Sequence, residues 1–155
     1  MGSHPKKRAL DKTGRDSIMS RTAGLITGRY PEILAAYVFG SFVREEAFAD
    51  LDVAVFLDRP PEAPLEFEIK LEGELEKLVR IPVDVRVLNY APQPIQYTVI
   101  REGTVFLDRD PNRRADFEGN VIKQYLDFSR FRRRSLKEIS HAEMADYLGF
   151  SDMPE

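Results

Sequence analysis

At 155 residues, 43% hydrophobic and 32% charged, the chain is long enough for one core and predicts a single soluble domain. No apolar run spans a membrane, no signal-peptide pattern is present, and zero cysteines exclude a disulfide framework or thiolate metal site, so a cytoplasmic protein is expected. A net charge of -3 argues against stable nucleic-acid binding, and His4 and His141 stand too far apart in sequence to suggest a histidine metal site or triad.

Residues 1–12 are polar and basic, and Met1-Gly2-Ser3-His4 reads like an expression leader. Residues 1–14 are therefore expected as a disordered tail, followed by a domain over 15–135 and a helical tail over 136–155. A first helix is predicted over 16–27, with Ile18, Leu25 and Ile26 on one side and Gly28 as its stop. Residues 34–39 make a short apolar strand, and residues 51–57 make a second that Asp58-Arg59-Pro60-Pro61 ends.

A long helix over 64–80 keeps Phe67, Leu71, Leu75, Leu78 and Val79 at helical spacing. Glu66, Glu68, Glu72, Glu74 and Glu76 cover its other faces and read as solvated, while Gly73 is expected to mark a close approach to a neighbour. The strand over 81–88 puts Val83, Val85 and Val87 on one face and Asp84 and Arg86 on the other. An acid at the centre of an apolar strand is expensive to bury unless paired or metal-bound. Asp84 either joins a carboxylate cluster or pairs with an arginine on an exposed edge.

A short helix then runs to about Arg101 and stops at Gly103, and residues 104–107 give a last strand. Asp110-Pro111 opens the final long helix as N-cap and first residue. Phe117, Val121, Tyr125 and Phe128 form a core stripe along it. Arg130, Arg132, Arg133 and Arg134 form a basic cluster at or past its end, either solvated or docking a partner. Ser140-His141-Ala142-Glu143 is a capping box for a small terminal helix that stops at Gly149. Strands interleaved with helices predict an α/β (α+β) two-layer fold, a mixed β-sheet packed by helices.

The chemistry concentrates between Tyr37 and Phe56. Phe39-Gly40-Ser41 is followed by eight residues and then Asp50-Leu51-Asp52, which runs into Val53-Ala54-Val55-Phe56. Asp-x-Asp alone decides nothing, because Asp108-Arg109-Asp110 has the same spacing. In this company, though, Asp50 and Asp52 project from one face of a strand, repel unless a cation lies between them, and suit magnesium. Gly40 lets the backbone approach a phosphate and Ser41 can donate to it. The stretch predicts a metal-dependent site for a nucleoside triphosphate.

Gly-Ser followed by Asp-x-Asp resembles the signature of the nucleotidyltransferase superfamily that includes DNA polymerase beta. The short chain and Phe39-Gly40-Ser41-Phe42-Val43-Arg44 resemble its minimal nucleotidyltransferases, with Glu45 where members often carry Gly. The resemblance covers roughly residues 25–128 and implies that Asp84 is the third acid. Asp50, Asp52 and Asp84 would then be the catalytic and metal residues, holding two magnesium ions, with Gly40, Ser41 and Arg44 on the nucleotide and ATP as substrate.

Val83-Asp84-Val85-Arg86-Val87-Leu88-Asn89, Ala91-Pro92, Arg101-Glu102-Gly103 and Asp108-Arg109-Asp110 look like the antitoxin branch of that family. There the enzyme is encoded with a HEPN-domain ribonuclease toxin and transfers AMP to a toxin tyrosine. Two alternatives stand beside this expectation: an antitoxin that acts only by binding, with a vestigial site, and a transferase acting on a small molecule such as an aminoglycoside. The second is disfavoured because the chain has no helical domain with which to hold such an acceptor.

Overall fold

The computed structural model describes residues 8–45 and 47–138. In chain order the elements are β1 (Arg8–Ala9), α1 (Lys12–Arg29), β2 (Ile33–Phe39), α2 (Ser41–Arg44), β3 (Ala47–Phe48), β4 (Leu51–Leu57), α3 (Pro64–Val79), β5 (Val83–Val87), α4 (Gln93–Glu102), β6 (Thr104–Asp108) and α5 (Pro111–Glu138). Four strands form the main sheet in the order β5-β4-β2-β6. β2 runs antiparallel to β4 and β6, whereas β4 and β5 are parallel, because α3 carries the chain back across the sheet between them. The expected mixed sheet packed by helices is what forms.

Alternation along the strands divides the core. Val53, Val55, Val83, Val85 and Val87 face α1 and α3, where Ile18, Ile26, Leu71 and Leu75 complete the larger cluster. On the opposite face Tyr37, Ala54, Phe56, Leu88 and Val99 make a smaller one, over which Phe117 of α5 stacks on Phe56 with ring centroids 4.5 Å apart. Asp84 and Arg86 emerge on that second face and are exposed, so its β5 end is an open ledge.

α1 departs from expectation at both ends. It starts at Lys12 because Asp11 caps it, the Oδ1 accepting from the Gly14 N–H at 2.8 Å. Arg8 and Ala9, ahead of it, pair with Phe48 and Ala47 of β3. Gly28 lies inside the helix and does not end it. The stop is Arg109, whose guanidinium donates to the carbonyls of Ile26 (3.4 Å), Thr27 (2.8 Å), Tyr30 (2.6 Å) and Ile33 (3.0 Å). A cation on the last-turn carbonyls satisfies acceptors that lack intrahelical partners and complements the helix dipole. Arg109→Ala is therefore expected to lower stability by about 2 kcal/mol, the scale of a charged hydrogen bond removed from half-buried carbonyls. Urea denaturation checks this, and a loss no larger than that of an ordinary surface substitution would refute the capping role.

α3 brings two further corrections. A Cβ at Gly73 would meet no atom within 4 Å, so no close approach occurs there. Nor are all the glutamates idle: Glu76, Glu72 and Glu68 accept from the N–H groups of Val83 (3.0 Å), Val85 (2.8 Å) and Val87 (2.8 Å). The spacings match, since four helical residues rise about 6 Å and two strand residues about 6.6 Å.

α5 opens as expected, with Asp110 Oδ1 accepting from the Arg113 N–H at 3.2 Å. Phe117 and Val121 pack inward and Tyr125 stacks on Tyr97 at 3.7 Å, but Phe128 is 53% exposed, so the stripe leaves the core at its last member. The helix continues to Glu138, which puts Arg130, Arg132, Arg133 and Arg134 within it and not past its end. The terminal helix expected at 140–149 lies outside the described residues.

Candidate active site

β2 delivers its last residue, Phe39, directly opposite Asp52 of β4, and Asp52 in turn lies opposite Asp84 of β5. Neighbours in register on a sheet share a face, so Asp52 and Asp84 project together onto the open ledge. Asp50 sits in the bend just before β4, half-buried. The sequence-predicted acids thus converge, although only two of them lie on strands.

Past Phe39 the chain reverses through Gly40, whose φ of 76° and ψ of -153° lie where side chains are rarely tolerated. A Cβ there would also collide with the Asp52 carboxylate. Ser41–Arg44 then forms a single helical turn, with Phe42 buried, Ser41 half-buried and Arg44 exposed. Glu45, the departure from the family pattern, has φ -120° and ψ 152°, an extended conformation open to any residue, so glycine is not required there.

Arg15 of α1 holds this turn in place. Its guanidinium donates to the carbonyl oxygens of Phe42 and, at 2.8 Å, of Glu45, and lies over the rings of Phe42 and Phe48 at 5.1 and 4.9 Å. Sequence reasoning did not single it out, because nothing local to residue 15 marks a contact with a turn 27 residues away.

The electrostatics tie the cluster together. Burial, then the charges of Asp50 and Asp84, push the Asp52 carboxyl up from 3.8 to about 6, against the pull of Arg44 and Arg86. Arg86 was not predicted for the site, although its place two residues after Asp84 on the same strand face was a usable signal. Glu72, which reaches Val85, is also raised, first by burial and then by the charge of Asp84, so a fourth carboxylate borders the three.

Among the described residues, no three histidine, aspartate or glutamate side chains stand close enough together to hold one ion. The donor chemistry nonetheless fits a hard divalent cation. Burial first, and then the charges of Asp50 and Asp84, raise the Asp52 carboxyl to about 6, and a cation bound by these oxygen donors would offset both. Two open clefts carry the neighbouring arginines, one lined by Arg86 with Leu65, Tyr90 and Pro92, the other by Arg44 with Leu10, Phe42 and Val43; Asp50, Asp52 and Asp84 line neither.

The family model described as "Polymerase beta, Nucleotidyltransferase" matches residues 25–112. The fold is similar to that of tri-AMPylated Shewanella oneidensis HEPN toxin in complex with MNT antitoxin, at TM-score 0.64 and 18% identity, over 80% of this chain and 97% of that one. It is also similar to the toxin-antitoxin MntA-HepT (TM-score 0.60, 17% identity, 83% and 97% covered). A toxin-antitoxin with AMP-PNP matches as well (TM-score 0.64, 18% identity, 77% and 96% covered). At these identities the likeness is one of fold. No curated protein matches the chain. Among the described residues, no helix is long and apolar enough to cross a membrane.

Proposed function

We propose that this chain, which belongs to the polymerase beta nucleotidyltransferase family, transfers AMP from ATP to a tyrosine hydroxyl of a HEPN-domain toxin and so acts as its antitoxin. The observation that carries the reading is the register Phe39, Asp52, Asp84 across three neighbouring strands, with the Gly40 turn immediately after Phe39 and Asp50 just before β4. The partner and the nucleotide are suggested by the structures whose fold this chain resembles: an AMPylated HEPN toxin with its MNT antitoxin and a toxin-antitoxin with AMP-PNP.

In this reading Gly40 lets main-chain N–H groups approach the terminal phosphates, Ser41 donates its hydroxyl to them, and the exposed Arg44 adds positive charge. Asp50, Asp52 and Asp84 would hold magnesium, two ions on this set of ligands, which supplies charge neutralisation for the triphosphate and acidifies the acceptor hydroxyl. Asp84, exposed on the open ledge, receives the acceptor's proton. The acceptor oxygen bonds to the α-phosphorus, the bond from that phosphorus to the bridging oxygen breaks, and pyrophosphate leaves. The protein's contribution is positioning and electrostatics. The arginines at 130, 132, 133 and 134, on the part of α5 beyond the core stripe, would help dock the toxin.

One observation favours a second reading, an antitoxin that acts only by binding: no ready metal-holding group exists among the described residues. A single experiment separates the two. Incubated with a HEPN-domain toxin, ATP and magnesium, the wild-type protein is expected to add AMP to a toxin tyrosine, read by intact mass and peptide mapping. Asp50→Asn is expected to bind the toxin yet leave its mass and ribonuclease activity unchanged. If that variant silences the toxin as well as wild type does, binding alone is the function.

A further inference from the structure

The glutamate ladder on α3 does more than close a sheet edge. β5 is the outermost strand, and its Val83, Val85 and Val87 N–H groups point away from β4. Glu76 takes the N–H just before Asp84 and Glu72 the N–H just after it, at 3.0 and 2.8 Å. The peptide unit that follows Asp84 and the one that precedes Val83 are thereby tied to a helix that is itself packed into the core through Leu71 and Leu75. An edge strand lacks a second neighbour to fix its position, so without these bonds Asp84 would rest on β4 alone.

We propose that Glu72 and Glu76 are positioning residues that clasp β5 so that Asp84 stands opposite Asp52. Neither is assigned a contact with the nucleotide. They act through the backbone of β5 on either side of Asp84, Glu72 also lying beside the Asp84 carboxylate, and the role rests on the reading of Asp84 as the residue that receives the acceptor's proton. The hydrogen bond is what matters, so an amide oxygen serves as well as a carboxylate: Glu72→Gln keeps an acceptor for Val85, and Glu72→Ala does not.

Glu68 supplies an internal control. It accepts from Val87, at the far end of the strand from Asp84, so removing it opens the same edge without loosening the peptides flanking the acid. A purely structural ladder would make Glu68→Ala and Glu72→Ala equivalent.

The test measures two quantities in the full-length chain. Amide hydrogen exchange by NMR reads protection at Val83, Val85 and Val87. AMP transfer to a HEPN-domain toxin with ATP and magnesium reads kcat and the KM for ATP. Glu72→Ala is expected to expose the Val85 amide and lower kcat roughly 10–100-fold, the range for groups that orient a ligand from behind, with KM little changed. Glu72→Gln is expected to restore both protection and kcat, and Glu68→Ala to expose Val87 while leaving kcat near wild type.

Equal impairment of the Gln and Ala variants, or a normal kcat in Glu72→Ala once Val85 exchanges freely, would overturn the proposal. So would a kcat loss in Glu68→Ala matching that of Glu72→Ala. A wild-type protein that transfers no AMP would overturn the role together with the reading it rests on, a result told apart because the exchange arm would still record the clasp.

Discussion

Asp52→Asn is expected to lower AMP transfer on the order of 10³-fold, through lost cation and phosphate stabilisation, while making the protein more stable at pH 7. The two effects share one cause. Folding raises the Asp52 carboxyl from 3.8 to about 6, so between those values the folded state holds a proton that the unfolded state has released. The contribution of Asp52 to stability is fully present below pH 3.8, is lost as pH rises toward about 6, and stays lost above that. Asparagine carries no charge, so the variant avoids this loss. Its melting temperature is expected to exceed that of wild type at pH 7 and 8, with the gap closing toward pH 4. On the proposed function, magnesium is expected to raise the wild-type melting temperature and leave that of the variant nearly unmoved, since only wild type carries the buried Asp52 charge that a cation would offset. Thermal melts across pH, with and without magnesium, check the stability arm. A variant less stable than wild type at pH 7, or one that keeps its activity, would remove Asp52 from the centre of the site.

What sequence made legible was whatever local pattern encodes. The second long strand was read with its observed ends, Leu51–Leu57, because an unbroken apolar run bounded by Asp50 and by Asp58-Arg59-Pro60-Pro61 admits little else. Val83-Asp84-Val85-Arg86-Val87 alternates strictly, and the faces it implied are the faces observed. The register of Asp52 with Asp84 was not legible in itself, because parallel pairing across a helical crossover leaves no local trace. The same limit hid the contacts of single polar side chains. Glu68, Glu72 and Glu76 at four-residue spacing look like any solvated helix face until a strand edge of matching rise lies beside them. Arg109, within the second Asp-x-Asp, caps a helix whose stop had been assigned to Gly28. Arg15 stood at the boundary of residues set aside as a tail, yet it braces the turn that opens the site.

That turn is where the other large effect is expected. Gly40→Ala should lower AMP transfer on the order of 10²-fold, the usual consequence of displacing catalytic groups by about 1 Å. Two independent problems meet at this residue. The backbone has φ 76° and ψ -153°, which for alanine costs on the order of 1–3 kcal/mol. The new methyl would also run into the Asp52 carboxylate, so either the turn or Asp52 must shift. If the turn moves, Ser41 and Arg44 leave the positions from which they are proposed to hold the phosphates; if Asp52 moves, it loses its place beside Asp50 and Asp84. Phe42, buried and held by Arg15, resists the first movement, so Asp52 is the group expected to yield. Ser41→Ala removes a hydroxyl without strain and is expected to be much milder. Combining Gly40→Ala with Asp52→Asn discriminates between the routes. If displacement of Asp52 is how the methyl acts, adding it to a protein that already lacks the carboxylate should reduce transfer little further, while the backbone strain still lowers the melting temperature. Full multiplication of the two activity losses would instead mean that the turn itself had moved.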